Sequence, residues 1–162
     1  MIPEIDVQLA AVAKALADNV LPAVDPANPM AVEQLHLALA TLGIVRQRLP
    51  DLHAYLRRDL TEAIALAATI GVDAGSAAAV LGSPESSPQR IEAEVRAVKE
   101  AITARIEAAR GTADEAAVAA AVLNAADPAI LRWRAWALPM GFEPDPAALP
   151  ALDDLLQGKT TT

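Results

Sequence analysis

Through most of this chain apolar residues return every third or fourth position, and nowhere do they alternate with polar ones at a period of two. That spacing gathers them on one stripe of an α-helix and excludes half-buried strands. Alanine supplies 39 of the 162 residues, and no residue gives up less on entering a helix. With aromatic side chains at 2%, the core must be built from Leu, Ile, Val and Ala on closely approaching helices. The expectation is an all-α fold, a compact bundle of about five to seven helices.

Caps and prolines divide the pattern. A first helix runs from about Pro3 to Val20 on Ile5, Leu9, Val12, Ala13 and Leu16. After LPAVDPANP, Asn28 and Pro29 read as N-cap and N1 of a second, to about Leu49. Pro50 stops it, Asp51 caps a third helix from Leu52 to Ile70, and Gly71 takes the C′ position. So short a connection predicts an antiparallel helix hairpin over 29–70. A short helical piece around Ala77 to Leu81 precedes a Ser/Pro stretch, 82–87, expected to be mobile. Ser87 and Pro88 open the next helix, which reaches about Arg110. Thr112 to Glu115 form a capping box for one ending near Ala125, and Asp127 with Pro128 reads as a fresh N-cap and N1 for a helix through Leu138. A last short helix starts at Asp145 or Leu149 and ends near Gln157. The organisation expected is one domain over 1–157, with 1–70 and 88–157 as alternative lobes joined by 71–87, and a disordered tail at 158–162.

The absence of cysteine excludes disulfides, thiolate metal sites and a cysteine nucleophile, and fits a reducing, cytoplasmic setting. The N-terminus carries Glu4 and Asp6 and lacks the basic start of a signal peptide. No apolar run is long enough to cross a bilayer. A net charge of -8 argues against nucleic acid as a partner. The abundance of alanine and of arginine over lysine suggests a bacterial source.

Against that acidity, IVRQRLPDLHAYLRRDL at 44–60 concentrates four of the ten arginines. Arg46 and Arg48 fall at a helix C-terminus, and His53, Arg57 and Arg58 follow at the start of the next helix, where free N–H groups favour anions. Two readings compete. One is an anion site for a phosphate, a nucleotide or an acyl-CoA; the other is structural, with Arg46 and Arg48 offsetting the helix dipole and Arg57 and Arg58 paired to Asp59 and Glu62. Arg46 falls within about 20° of Leu35 on the apolar stripe, so it needs a partner.

Other chemistry is sparse. Glu33 and His36 make one E-x-x-H, the spacing of helical di-iron sites, but those need the motif twice with two more carboxylates, so no metal and no cofactor is expected. No serine or second histidine completes a triad with His53, and no catalytic residue is assigned. The second helix is apolar on two sides, with Met30, Leu37 and Ile44 recurring every seven residues opposite its main stripe. Trp133 and Trp136, set among Arg132 and Arg134, read as core or as a partner interface.

Residues 9–49, through LAAV at 9–12, VLPAV at 20–24 and LHLALATLGIVRQRL at 35–49, resemble the small helical bacterial proteins encoded beside aminoglycoside-phosphotransferase-like kinases and acyl-CoA dehydrogenase-like enzymes. The likeness covers roughly a quarter of the chain. Leu35 stands where those proteins carry an aromatic residue, and the loop between helices is longer. The resemblance implies an accessory subunit that assists a kinase or acyl-CoA enzyme in acid catabolism, with only His36 and Arg48 matching its pattern. The function expected is therefore a non-catalytic helical accessory subunit that forms a homodimer or binds a partner enzyme through Met30, Leu37, Ile44, Trp133 and Trp136, without membrane association. The alternative is a small-ligand, nucleotide or acyl-CoA module centred on Arg46 to Arg58.

Overall fold

The computed structural model describes residues 4–159, which contain seven α-helical segments and no strand. These are α1 (Ile5–Ala15), α2 (Pro29–Arg48), α3 (Leu52–Thr69), α4 (Ala77–Gly82), α5 (Pro88–Ala109), α6 (Glu115–Ala137) and α7 (Leu152–Leu156). They fall into two compact units. One holds 4–50 with Pro139–Phe142, the other Asp51–Leu138 with 143–159. The division at Pro50 lies inside the stretch for which the sequence predicts a hairpin, and 71–87, expected to join two lobes, belongs wholly to the second unit.

In the first unit α1 continues into a π-turn, Leu16–Val20, and a 3-10 turn, Leu21–Ala23, which Pro22 closes. Asn28 then caps α2 by accepting from the Ala31 N–H at 3.2 Å, with Pro29 at the first turn, as the sequence predicts. α1 packs on α2, yet no residue of either helix is buried. Two helices of this composition have little interior to offer each other.

The second unit contains the core. α3 packs against α5, α4 and α6. Leu60, Ala63 and Ala67 from α3 and Ile70 just after it meet Ala77 and Val80 from α4, Ile91, Val95, Val98, Ile102 and Ala109 from α5, and Val118 from α6. Alanine recurs at these contacts and lets the backbones approach closely. α3 ends in a Schellman motif: Gly71, at φ +74°, donates to Ala68 O at 3.3 Å while Val72 donates to Ala67 O at 2.8 Å. Residues 82–87 are tied in place. Ser86 Oγ donates to Val80 O at 2.8 Å, and Ser87 caps α5 by accepting from the Arg90 N–H.

Two expectations are corrected. Asp127 and Pro128 do not begin a new helix; α6 runs unbroken from Glu115 to Ala137 with Pro128 inside it. Proline removes one hydrogen bond and crowds the carbonyl four residues back, at a cost of about 3 kcal/mol. Apolar residues that keep one phase on both sides of Pro128, with alanines at either hand, hold the helix through the lesion. Residues 158 and 159, expected to begin a disordered tail, form a helix cap. Gly158, at φ +72°, and Lys159 cap α7 by donating to Leu155 O at 3.3 Å and Asp154 O at 2.9 Å. The positive φ of Gly158 favours glycine, and a Cβ there would stand 2.5 Å from Arg58 Nη1, the movable end of a long side chain. Residues 160–162 and the expected helix start at Pro3 lie outside the described residues.

If tertiary packing carries α6 past its proline, Pro128→Ala restores a backbone bond without disturbing the helix. Urea unfolding followed by circular dichroism should show stabilisation of about 1–3 kcal/mol at unchanged slope.

Candidate functional site

The arginines of the 44–60 bend are shared between the two units. Arg46 and Arg48 belong to the first unit, and His53, Arg57 and Arg58 to the second. The partner that the position of Arg46 demands is Asp6, which accepts from Nε at 3.0 Å and from Nη2 at 3.2 Å. The hydrogen bonds from Arg46 hold the Asp6 carboxyl below the ordinary aspartate range. Arg48 sits in the last turn of α2, where a cation offsets the helix dipole.

Arg57 and His53 act on the α4 side of the core. Arg57 donates through Nη1 to Ser83 O at 3.2 Å and through Nη2 to Leu81 O, so one guanidinium satisfies carbonyls left open at the end of α4. His53 Nε2 stands 3.1 Å from Ser86 O. Together they fasten the Ser/Pro stretch for which the sequence predicts mobility. Arg58 donates through Nε to Glu62 Oε1 at 2.7 Å.

The most organised polar cluster centres on Arg132, a residue the sequence suggests only as a neighbour of tryptophans. It is 2% exposed. Its Nη2 donates to Asp59 Oδ1 at 3.0 Å and its Nη1 to Glu62 Oε2. Asp59 also accepts from Lys99 Nζ at 2.7 Å, so the cluster runs Lys99, Asp59, Arg132, Glu62, Arg58 with charges in strict alternation. Helices α3, α5 and α6 are thereby joined. Burial works against the Arg132 charge, but the hydrogen bond and fields of Glu62 and the field of Asp59 outweigh it and raise its pKa. The Tyr55 ring lies 5.2 Å from Arg132 Cζ and stacks on Trp136, with centroids 4.4 Å apart and planes tilted by 47°. Burial pushes the Tyr55 phenol up, and the nearby guanidinium opposes that shift.

A second ion pair closes the end of α6. Arg134 donates to Glu143 through Nε at 3.0 Å and Nη2 at 2.7 Å. Those bonds hold the Glu143 carboxyl below the ordinary range, helped by the Asp145 N–H and opposed by burial.

Each charge in these clusters meets an opposite one, while Arg132 Nε is buried without a hydrogen-bond partner among the described residues. Both carboxylates beside Arg132 accept from two cations each. A cleft of about 700 Å³ borders the cluster between Arg58, Glu62, Leu131 and Leu155, and the three arginines on its wall, Arg58, Arg132 and Arg134, already face carboxylates. Glu33 and His36 both lie exposed on α2, and no group of three potential metal ligands occurs among the described residues.

The expected interface residues divide. Met30 and Leu37 are 64% and 52% exposed, and Ile44 is half-buried. Trp133 is 59% exposed, whereas Trp136 turns inward onto Tyr55. No protein-family model, curated protein or solved structure matches this chain.

Two outcomes follow for the ion pairs. Arg132→Ala leaves Asp59 and Glu62 without their shared partner and should lower the unfolding free energy by about 3–5 kcal/mol in urea titration. Because the folded-state pKa of Glu143 is depressed, its contribution is complete above the ordinary glutamate pKa and disappears as pH falls through the folded value. Glu143→Gln should therefore lower the melting temperature at neutral pH and flatten its decline on the acid side.

Proposed function

We propose that this chain is a non-catalytic helical interaction subunit, and that the outer face of α2 is the surface it presents to a partner protein. One observation carries the reading: the α1–α2 unit leaves all of its helical residues unburied while Met30 and Leu37 stand more than half exposed, seven residues apart. Exposed apolar side chains at that spacing suit a helix laid along α2 at a shallow angle. The charges around Arg132 are paired with one another within the second unit, which supports the same reading. Where the resemblance of residues 9–49 is carried over, the partner would be a kinase or an acyl-CoA enzyme that this subunit assists.

The ligand-binding alternative has less support, since Arg46, Arg57 and Arg58 are engaged by partners within the chain.

Met30→Glu with Leu37→Glu should leave the thermal unfolding curve within about 2 °C of the parent, since neither side chain is buried in the chain. The same change should abolish co-purification of the partner with a tagged chain expressed at its native level. Coenzyme A, acyl-CoA or ATP at about 1 mM should leave the melting temperature unchanged; a clear rise with any of them would favour the ligand module instead.

A further inference from the structure

The continuity of α6 through Pro128 creates a surface that two separate helices would not have. Ala116, Ala119, Leu123, Ala126, Ile130, Trp133 and Ala137 alternate spacings of three and four and share one side of the helix for its whole length. These are the a and d positions of a heptad seam. The opposite side of α6, through Val118, Arg132 and Ala135, is buried in the second unit. The seam itself is open. Leu123 is 68% exposed, Ile130 54% and Trp133 59%.

We infer that this seam is a homodimer interface, on which α6 of a second copy lies antiparallel about a twofold axis between Leu131 and Arg132. The charges beside the seam select the occupant and the register. Asp127 and Arg134 flank the same edge seven residues apart, and an antiparallel copy centred there brings each Asp127 beside the other chain's Arg134, displaced by about 3 Å along the axis and within reach of that long side chain, twice. Glu143 takes two of the five N–H donors of Arg134, which leaves donors for a second carboxylate. The same register stacks Ile130 on the second copy's Trp133 on both sides of the axis. It also sets Ala126 against Ala137 in the next layers, where small side chains let the helices close. A parallel copy would instead put the two chains' Asp127 and Arg134 on opposite flanks of the seam, beside Val122 and Ala129 of the other helix, so that no charge pair forms. A seam of this length removes on the order of 1,000 Å² in total, the lower bound for a specific and reversible interface. The edge of the seam also opens onto a groove of about 330 Å³, between Ala126, Ile130 and Trp133 on one side and Tyr55 and Lys99 on the other, which would receive the second copy's Trp133.

Sedimentation equilibrium of the full chain between about 1 and 200 µM tests the association. A monomer–dimer equilibrium is expected, weakened at least tenfold by Ile130→Glu or Trp133→Glu with an unchanged helical circular dichroism signal. A chain that stays monomeric at 200 µM, or a dimer indifferent to both substitutions, overturns the proposal. The chain lacks cysteine, so oxidative cross-linking reads the geometry directly. Ala126→Cys mixed with Ala137→Cys should give the mixed disulfide, and neither variant should couple efficiently to itself. Self-coupling of both without a mixed product would mean a parallel seam and would overturn the register. Met30→Glu with Leu37→Glu should leave this dimer intact, so failure of the α2 docking surface and failure of the α6 seam are separately visible.

Discussion

A buried guanidinium shared by two carboxylates organises the second unit. Arg132 enters the interior from α6 and can be held there only if its charge is answered at short range, and Asp59 and Glu62, one helical turn apart on α3, answer it. Lys99 and Arg58 then balance the carboxylates. Apolar contacts among alanine, valine and isoleucine are tolerant of sliding, because small side chains offer shallow ridges and grooves. An ion pair that must meet its partner within hydrogen-bond distance is not. The cluster therefore sets the rotation and height of α6 against α3, and the stack of Tyr55 on Trp136 fills the space beside it.

The orientation imposed on α6 has a consequence on its other side. Once Arg132 and Ala135 point inward, Leu123, Ile130 and Trp133 must point outward, because all of them ride on one rigid helix. Pro128 tests that rigidity. A proline in mid-helix is tolerated where packing before and after it agrees in phase, and here Val118 on one side and Arg132 and Ala135 on the other are buried against the same unit. The exposed apolar seam is thus the far side of the same constraint.

The first unit follows a different balance. Its helices meet through half-buried leucines and alanines and through the pair of Asp6 with Arg46, with no fully buried side chain. Little apolar surface leaves water in such a pair, so the stability its own contacts provide is small. That weak self-sufficiency is the physical basis of the interaction surface we propose on its exposed apolar residues.

Helix type, most caps and the main stripes were legible in the chain itself, because alanine content, threefold and fourfold spacing and cap residues such as Asn28, Gly71 and Ser87 act over a few residues. The need of Arg46 for a partner and the second apolar side of α2 were legible for the same reason, as both follow from one helical wheel. What Asp127 and Pro128 do was not: locally they are a good helix start, and only packing on both sides of the proline overrules that. Nor could local pattern distinguish Trp133 from Trp136, or show that Arg57 closes α4 and that Arg132 meets carboxylates some seventy residues away. Those outcomes depend on which helix faces meet, and a face has no partner until the chain has folded. The sequence alone determined that this protein is built of helices, and the tertiary structure decided which arginines are spent inside it and which apolar side chains remain outside.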